Sequence, residues 1–417
     1  MAEDCLVLNV WTPAVGGPGG RPVMVWFHGG GFSGLSGSSR LYDGVRLCQR
    51  GDVVVVTVNH RINVFGFLHL AERPDAANAG MLDLVLALQW VRDNIERFGG
   101  DPGNVTVFGE SGGGAKVCVL MGMPAAHGLY HRAIVQSGVH LTCLDQDAAA
   151  ANGSLFLKAL GDADARTAPV ETVVAAYERV LATGPVSYSP VVDGRHLPCQ
   201  PWDPDAPEPS AAVPLLICST RTETTLLAGA ADRSLFELRD GDLPQRLRRW
   251  LPAGHIDSVV AAFAELYPDA SPSERFFLVT SDLYSRLGGW ALADRKAKQG
   301  TAPVWHAELV WDTPFDGGRW WSPHTLDIPM VFDNVGRVPS VAGTSPEAQR
   351  VADQMSAAWL AFARTGDPNN AAVPDWPGWS TDQPVTMLFD VESRAAADWR
   401  AGERRALAEV PYRTPDR

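Results

Sequence analysis

Two unbroken apolar runs constrain the fold of this chain more than any other feature: Val23-Met24-Val25-Trp26-Phe27 and Val53-Val54-Val55-Val56-Thr57-Val58. Neither alternates with polar residues, so each strand must be covered on both faces, as inside a parallel sheet. Segments of helical period lie between such runs. From Met81 to Phe98, Leu82, Val85, Leu86, Leu88, Trp90, Val91 and Ile95 recur at helical spacing, and Gly99-Gly100-Asp101-Pro102 ends that helix. Val105–Phe108 and Ala133–Gln136 predict further strands, with a helix from Gly114 to Met121 between them. Beyond these, Ala148–Leu160, Val170–Ala182, Ser258–Tyr267 and Ser273–Ala297 read as helices, and Leu215–Cys218 and Val304–Val310 as later strands. Alternation of this kind predicts an α/β chain built on a mostly parallel sheet. The Pro-rich stretch from Pro201 to Pro209 reads as a surface loop, because the strand after it continues the same sheet. Residues 1–417 are therefore expected to form one large domain.

Composition narrows the function. The formal charge of −13 comes with no long basic run, which argues against nucleic acid or an anionic membrane as partner. No apolar run reaches the roughly 18 residues of a spanning helix. Met1 is followed by Ala2-Glu3-Asp4, without the basic and apolar regions of a secretion signal. The six cysteines, Cys5, Cys48, Cys118, Cys143, Cys199 and Cys218, are scattered with no Cys-x-x-Cys pair. They read as reduced core thiols, and with them a cytoplasmic location is expected.

Gly109-Glu110-Ser111-Gly112-Gly113 matches Gly-x-Ser-x-Gly between an expected strand and an expected helix. That setting distinguishes a nucleophile elbow from an incidental glycine-rich turn: the sharp turn exposes the serine oxygen at the head of a helix. A phosphate loop over the same residues fails, since Ala115 separates Gly114 from Lys116 and Val117 stands where a Ser or Thr is needed. His28-Gly29-Gly30-Gly31-Phe32 follows the first strand directly. On its own it is a flexible turn; paired with the elbow, it is placed to offer backbone N–H groups to an oxyanion. A serine nucleophile needs a base and an orienting acid, in the chain order Ser, acid, His on such a sheet. Of the late histidines, His306 lies inside a strand pattern, His255 opens a helix, and His324 stands in a loop. His324 is the candidate base. Glu223, just after the Leu215–Cys218 strand, is the candidate acid; Asp193 competes, but Asp193-Gly194 reads as a turn. His127 and His131, four residues apart, lack a third ligand and read as packing or surface residues.

Together these segments resemble the type-B carboxylesterases, the cholinesterase-like branch of the α/β hydrolases. The resemblance runs through Glu3–Val10, His28–Phe32, Asn59-His60-Arg61, Phe98–Pro102, Phe108–Ser111, Gln136-Ser137-Gly138, Pro190–Gly194 and Phe362–Pro368. It implies an α/β-hydrolase fold with helices on both faces of the sheet and helical insertions. It also implies hydrolysis of small-molecule carboxylic esters with no metal or organic cofactor. Carried onto matching positions, it makes Ser111 the nucleophile, Glu223 the acid and His324 the base. Gly30, Gly31 and Gly112 would supply the oxyanion hole, with Glu110 and Ser137 as supporting polar residues. Two departures stand out. Thr220-Arg221-Thr222-Glu223-Thr224 replaces the usual Asn-x-Asp-Glu-Gly, and Gly112 replaces the usual alanine, which should loosen the turn slightly. The family also carries several dozen residues before the Glu-Asp-Cys signature, including a cysteine partner for Cys5. Either the recorded start at Met1 lies too late, or the enzyme is trimmed, with a more open site and an uncovered sheet edge favouring homo-oligomers or aggregation. The competing readings are a non-catalytic adhesion-type protein on this fold, or an esterase inactivated by the lack of that segment.

Overall fold

The computed structural model describes residues 4–16, 19–70 and 74–413. Glu3, which opens the Glu3–Val10 signature, lies outside them. One sheet organises the described chain. Its strands are β1 (Leu8–Trp11), β2 (Arg21–Phe27), β3 (Val54–Val58), β4 (Gly100–Glu110), β5 (Arg132–Gln136), β6 (Leu215–Thr220), β7 (Val304–Leu309), β8 (Val385–Phe389) and β9 (Arg394–Ala397). Their spatial order is β1-β3-β2-β4-β5-β6-β7-β8-β9. The edge strands β1 and β9 pair antiparallel with β3 and β8, and every other pairing is parallel.

The unbroken apolar runs are divided between two cores, as the period-2 geometry of a strand requires. Val23, Val25 and Phe27 of β2 pack on one face with Leu84, Leu88 and Val91 of the helix Ala79–Asn94 and with Val117 and Leu120 of the helix Gly112–Met121. Met24 and Trp26 pack on the other, against Met355 and Trp359 of the helix Pro346–Thr365. Trp26 sits among Tyr42, Phe108 and Phe332 with ring centroids 4.9–5.0 Å away. Each such side chain contributes about 1.5–3 kcal/mol on burial. A third apolar cluster joins the helices Ile256–Leu266 and Pro272–Ser281 beyond the carboxyl ends of β6 and β7.

Several expectations are refined. The helix expected over Ser273–Ala297 is two helices, Pro272–Ser281 and Leu287–Gln299, joined by a π-turn at Asp282–Arg286. Pro201–Pro209 is a surface loop, but it carries the fully buried Trp202, whose indole N–H donates to the Cys118 carbonyl. All six cysteines are free, yet Cys199 is exposed and Cys5 only half-buried, so four rather than six are core thiols. At the β1 edge, Leu6, Val7 and Leu86 are about half exposed. No helix among the described residues is long and apolar enough to cross a membrane.

Candidate active site

Every sequence-nominated site residue lies at the carboxyl end of the central strands. β4 ends at Glu110, and the helix Gly112–Met121 begins one residue after Ser111. Ser111 takes φ 56°, ψ −124°, a region that side chains avoid unless their surroundings impose it. Its N–H donates to the Gln136 carbonyl at 2.8 Å, and its carbonyl accepts from Ala115 N–H at 3.0 Å. Helix and strand cross so closely at Gly113 that a Cβ there would stand 1.9 Å from the Phe27 carbonyl oxygen. Ser137 (φ 47°) and Thr325 (φ 70°) are also left-handed, so strain gathers around this serine.

The glycine loop closes over the helix start. A Cβ on Gly112 would lie 2.2 Å from the Gly31 oxygen and 2.5 Å from its nitrogen. Glycine here lets the loop pack into the space an alanine would fill. The N–H groups of Gly30, Gly31 and Gly112 donate to no other group among the described residues. Beneath the loop, the fully buried Lys116 donates from Nζ to the His28 carbonyl at 2.8 Å. The lysine that ended the near-match to a phosphate loop thus props the glycine loop from behind. Burial and the Lys116 charge hold the His28 ring at about 3, neutral and stacked on His60 with centroids 5.0 Å apart.

His324 and Glu223 meet in a fully buried setting. His324 Nδ1 lies 2.6 Å from Glu223 Oε2, while Glu223 Oε1 accepts from Thr220 N–H at 3.0 Å. The threonines that replace the family's pattern tie this acid down. Thr222 Oγ1 accepts from Ser322 N–H at 3.0 Å, Thr222 N–H donates to the Ser322 carbonyl at 2.9 Å, and Thr224 Oγ1 meets Thr280 Oγ1 at 2.6 Å. Burial alone would raise the Glu223 carboxyl; the hydrogen bond and charge of His324, the nearby Ser137 hydroxyl and the Thr220 N–H pull it below the usual range instead. The Ser137 hydroxyl does so without a hydrogen bond of standard geometry.

The second imidazole nitrogen faces another carboxylate. His324 Nε2 is 3.1 Å from Glu110 Oε1, at ion-pair distance but outside hydrogen-bond alignment. No hydrogen bond joins Ser111 Oγ to His324 among the described residues. Burial, then the nearby charges of Asp327 and Glu223, push the Glu110 carboxyl up to about 8, against the pull of His324. Burial would lower His324, but Glu110 and Glu223 outweigh it and raise the imidazole to about 9. Two groups this close share a proton, so their titrations belong to the pair.

Three neighbours were not singled out from sequence. Asp327, three residues after His324, is buried and raised to about 6 by burial and by Glu223; Gln136 Nε2 donates to it at 2.7 Å. Gln136 accepts in turn from the Trp359 indole at 3.0 Å. The π-turn delivers the other two. Tyr284 packs edge-on against the His324 ring at 5.4 Å, and the buried Arg286 donates to the Thr220 carbonyl at 2.7 Å, just before Glu223. Arg286 also pairs with Asp282 and lies 3.6 Å from Glu308. The i,i+3 spacing of His324 and Asp327 was the one local signal available for any of these.

The rejected candidates have structural roles. His306 is buried in β7 with Nδ1 on Thr386 at 3.2 Å. His255 precedes the helix Ile256–Leu266 and accepts at its carbonyl from Ser258. Asp193 accepts from the N–H groups of Arg195, His196 and Leu197, as a turn residue does. His131 Nδ1 accepts from Val105 N–H.

Comparison with known proteins identifies the family. The sequence profile of the carboxylesterase family matches residues 1–404. A para-nitrobenzyl esterase of Bacillus subtilis is 34% identical over 97% of this chain and 83% of its own length. A phenmedipham hydrolase of Pseudarthrobacter oxydans is 31% identical over 95% of this chain and 80% of its own length. Among solved structures, a Geobacillus stearothermophilus carboxylesterase superposes with a TM-score of 0.84 at 37% identity, covering 97% of this chain and 86% of that one.

Proposed function

This chain belongs to the carboxylesterase family and is a carboxylic-ester hydrolase on the α/β-hydrolase fold, and from that premise we propose that it works through an acyl-enzyme formed on Ser111. The observation that carries the proposal is His324, held by Glu223 on one nitrogen and presenting the other toward the end of β4, where Ser111 sits in its strained turn. His324 Nε2 takes the Ser111 proton as Oγ attacks the ester carbonyl, and the carbonyl oxygen becomes an oxyanion facing Gly30, Gly31 and Gly112. His324 then protonates the departing alcohol. Water repeats the sequence and releases the acid. Hydrogen bonds of this kind are commonly long or misaligned before substrate binds. For the transfer, Nε2 must turn from Glu110 Oε1 to Ser111 Oγ. The single nine-stranded sheet supports reading residues 1–417 as one catalytic domain, and the six free thiols support a reducing, cytoplasmic location.

Incubation with a fluorophosphonate probe is expected to add one label, located on the peptide carrying Ser111. A protein with a non-catalytic site would take none, and label on any other residue would discard the assignment.

Glu110 gives this mechanism a pH signature. Catalysis needs neutral His324, so kcat/KM rises with pH through the titration that deprotonates it. Removing the Glu110 charge destabilises the imidazolium. Glu110→Gln should therefore shift the acid limb of the kcat/KM profile to lower pH by about one unit or more. A limb that stays in place, or moves to higher pH, would show that Glu110 does not hold the proton on His324.

A further inference from the structure

Tyr284, whose ring edge packs on His324, is also a wall of a cleft of about 740 Å³. The cleft has an apolar floor that includes Leu235, Trp250 and Phe276, but its charged lining is lopsided: Arg246, Arg249 and Arg413 against the single Asp232. Arg246 is paired with Asp232 at 2.9 Å. Arg249 and Arg413 make no ion pair among the described residues. Such a cleft is conspicuous in a chain whose formal charge is −13. Low-dielectric walls lined by one sign of charge focus the potential on a ligand of the opposite sign.

Through Tyr284 the cleft adjoins the imidazole, and none of Ser111, Gly30, Gly31 or Gly112 lines it. His324 must hand its proton to the leaving oxygen, so the departing alcohol lies on the imidazole side, away from the glycine loop. Resting on the esterase reading above, we propose that this cleft holds the alcohol half of the substrate and selects esters whose leaving group is an apolar or aromatic body ending in an anion such as a carboxylate. Trp250 and Phe276 take the body; Arg249 and Arg413 face the anion.

The test compares 4-acetoxybenzoate with its neutral methyl ester, each rate corrected for its hydroxide-catalysed reaction. The anionic-to-neutral ratio of kcat/KM should fall about threefold to fivefold in Arg249→Gln. It should fall further in Arg249→Gln/Arg413→Gln and shrink in 0.5 M salt. Arg248→Gln removes the same charge one residue outside the lining and should leave the ratio in place; urea midpoints confirm that each variant folds. A ratio that Arg249→Gln does not move overturns the proposal. So does a charge preference that appears only with phenyl hemisuccinate, where the carboxylate is on the acyl half. Loss of Ser111-dependent hydrolysis of the neutral ester would instead remove the reading on which the proposal rests.

Discussion

Replacing Ser111 by alanine is expected to reduce kcat for a short-chain aryl ester by a factor of about 10⁶, with little change in stability. Alanine keeps the Cβ, and the left-handed turn is imposed by contacts that stay: Ser111 N–H on Gln136, the Ser111 carbonyl on Ala115, and the crossing at Gly113. Only the oxygen proposed to attack is lost. The glycine-loop N–H groups remain and should leave a residual acceleration of about 10³–10⁴ over water. His324→Ala should cost about as much as Ser111→Ala, and the double variant no more than either, because nucleophile and base act as one unit. Hydrolysis by Ser111→Ala within tenfold of wild type would mean that another group attacks the ester. Additive losses would mean that His324 works independently of the serine.

What could be read from the sequence follows the physics of burial. β2, β3, β5 and β6 are covered on both faces, so their side chains form dense apolar runs that no helix boundary interrupts. The elbow was legible because Gly109 and Gly113 are demanded by backbone crossings, and such crossings tolerate no other residue. β9 was not legible: Arg394-Ala395-Ala396-Ala397 is an edge strand with no β-branched or aromatic residue to mark it. The helix Pro346–Thr365 carried readable signals, a Ser345 cap before Pro346 and a stripe through Val351, Met355, Ala358 and Phe362, that the alanine-rich composition around them dilutes. The π-turn leaves no trace in hydrophobic period, since Asp282, Tyr284 and Arg286 are placed by what they touch rather than by spacing. Glu110's part in the site was half legible. Its adjacency to Ser111 is in the sequence, but its approach to His324 depends on a loop more than 200 residues away.

Glu223→Gln is the second large effect, an expected loss of about 10⁴ in kcat. The geometry leaves the amide no good orientation. Glu223 accepts from the Thr220 N–H through Oε1 and meets His324 Nδ1 through Oε2. A glutamine that keeps its oxygen on Thr220 turns its NH₂ toward Nδ1, which must then give up its proton. The proton sits on Nε2, and that nitrogen can no longer accept from Ser111. A glutamine turned the other way satisfies Nδ1 but sets its NH₂ against the Thr220 N–H, donor to donor in a buried pocket. That costs about 1–3 kcal/mol for the unmade bond. Either way the productive tautomer becomes scarce. Asp193→Asn provides the contrast: Asp193 accepts from the backbone N–H groups of residues 195–197 and from the Asn78 side-chain amide, so its loss should change stability more than turnover. If the two variants behaved in the reverse sense, Asp193 would be the orienting acid and the 2.6 Å contact between Glu223 and His324 would be structural. With Glu223 in that role, the residual activity of Glu223→Gln should also show its acid limb at lower pH than wild type. The hydrogen bond and charge that raise His324 to about 9 would then be partly gone.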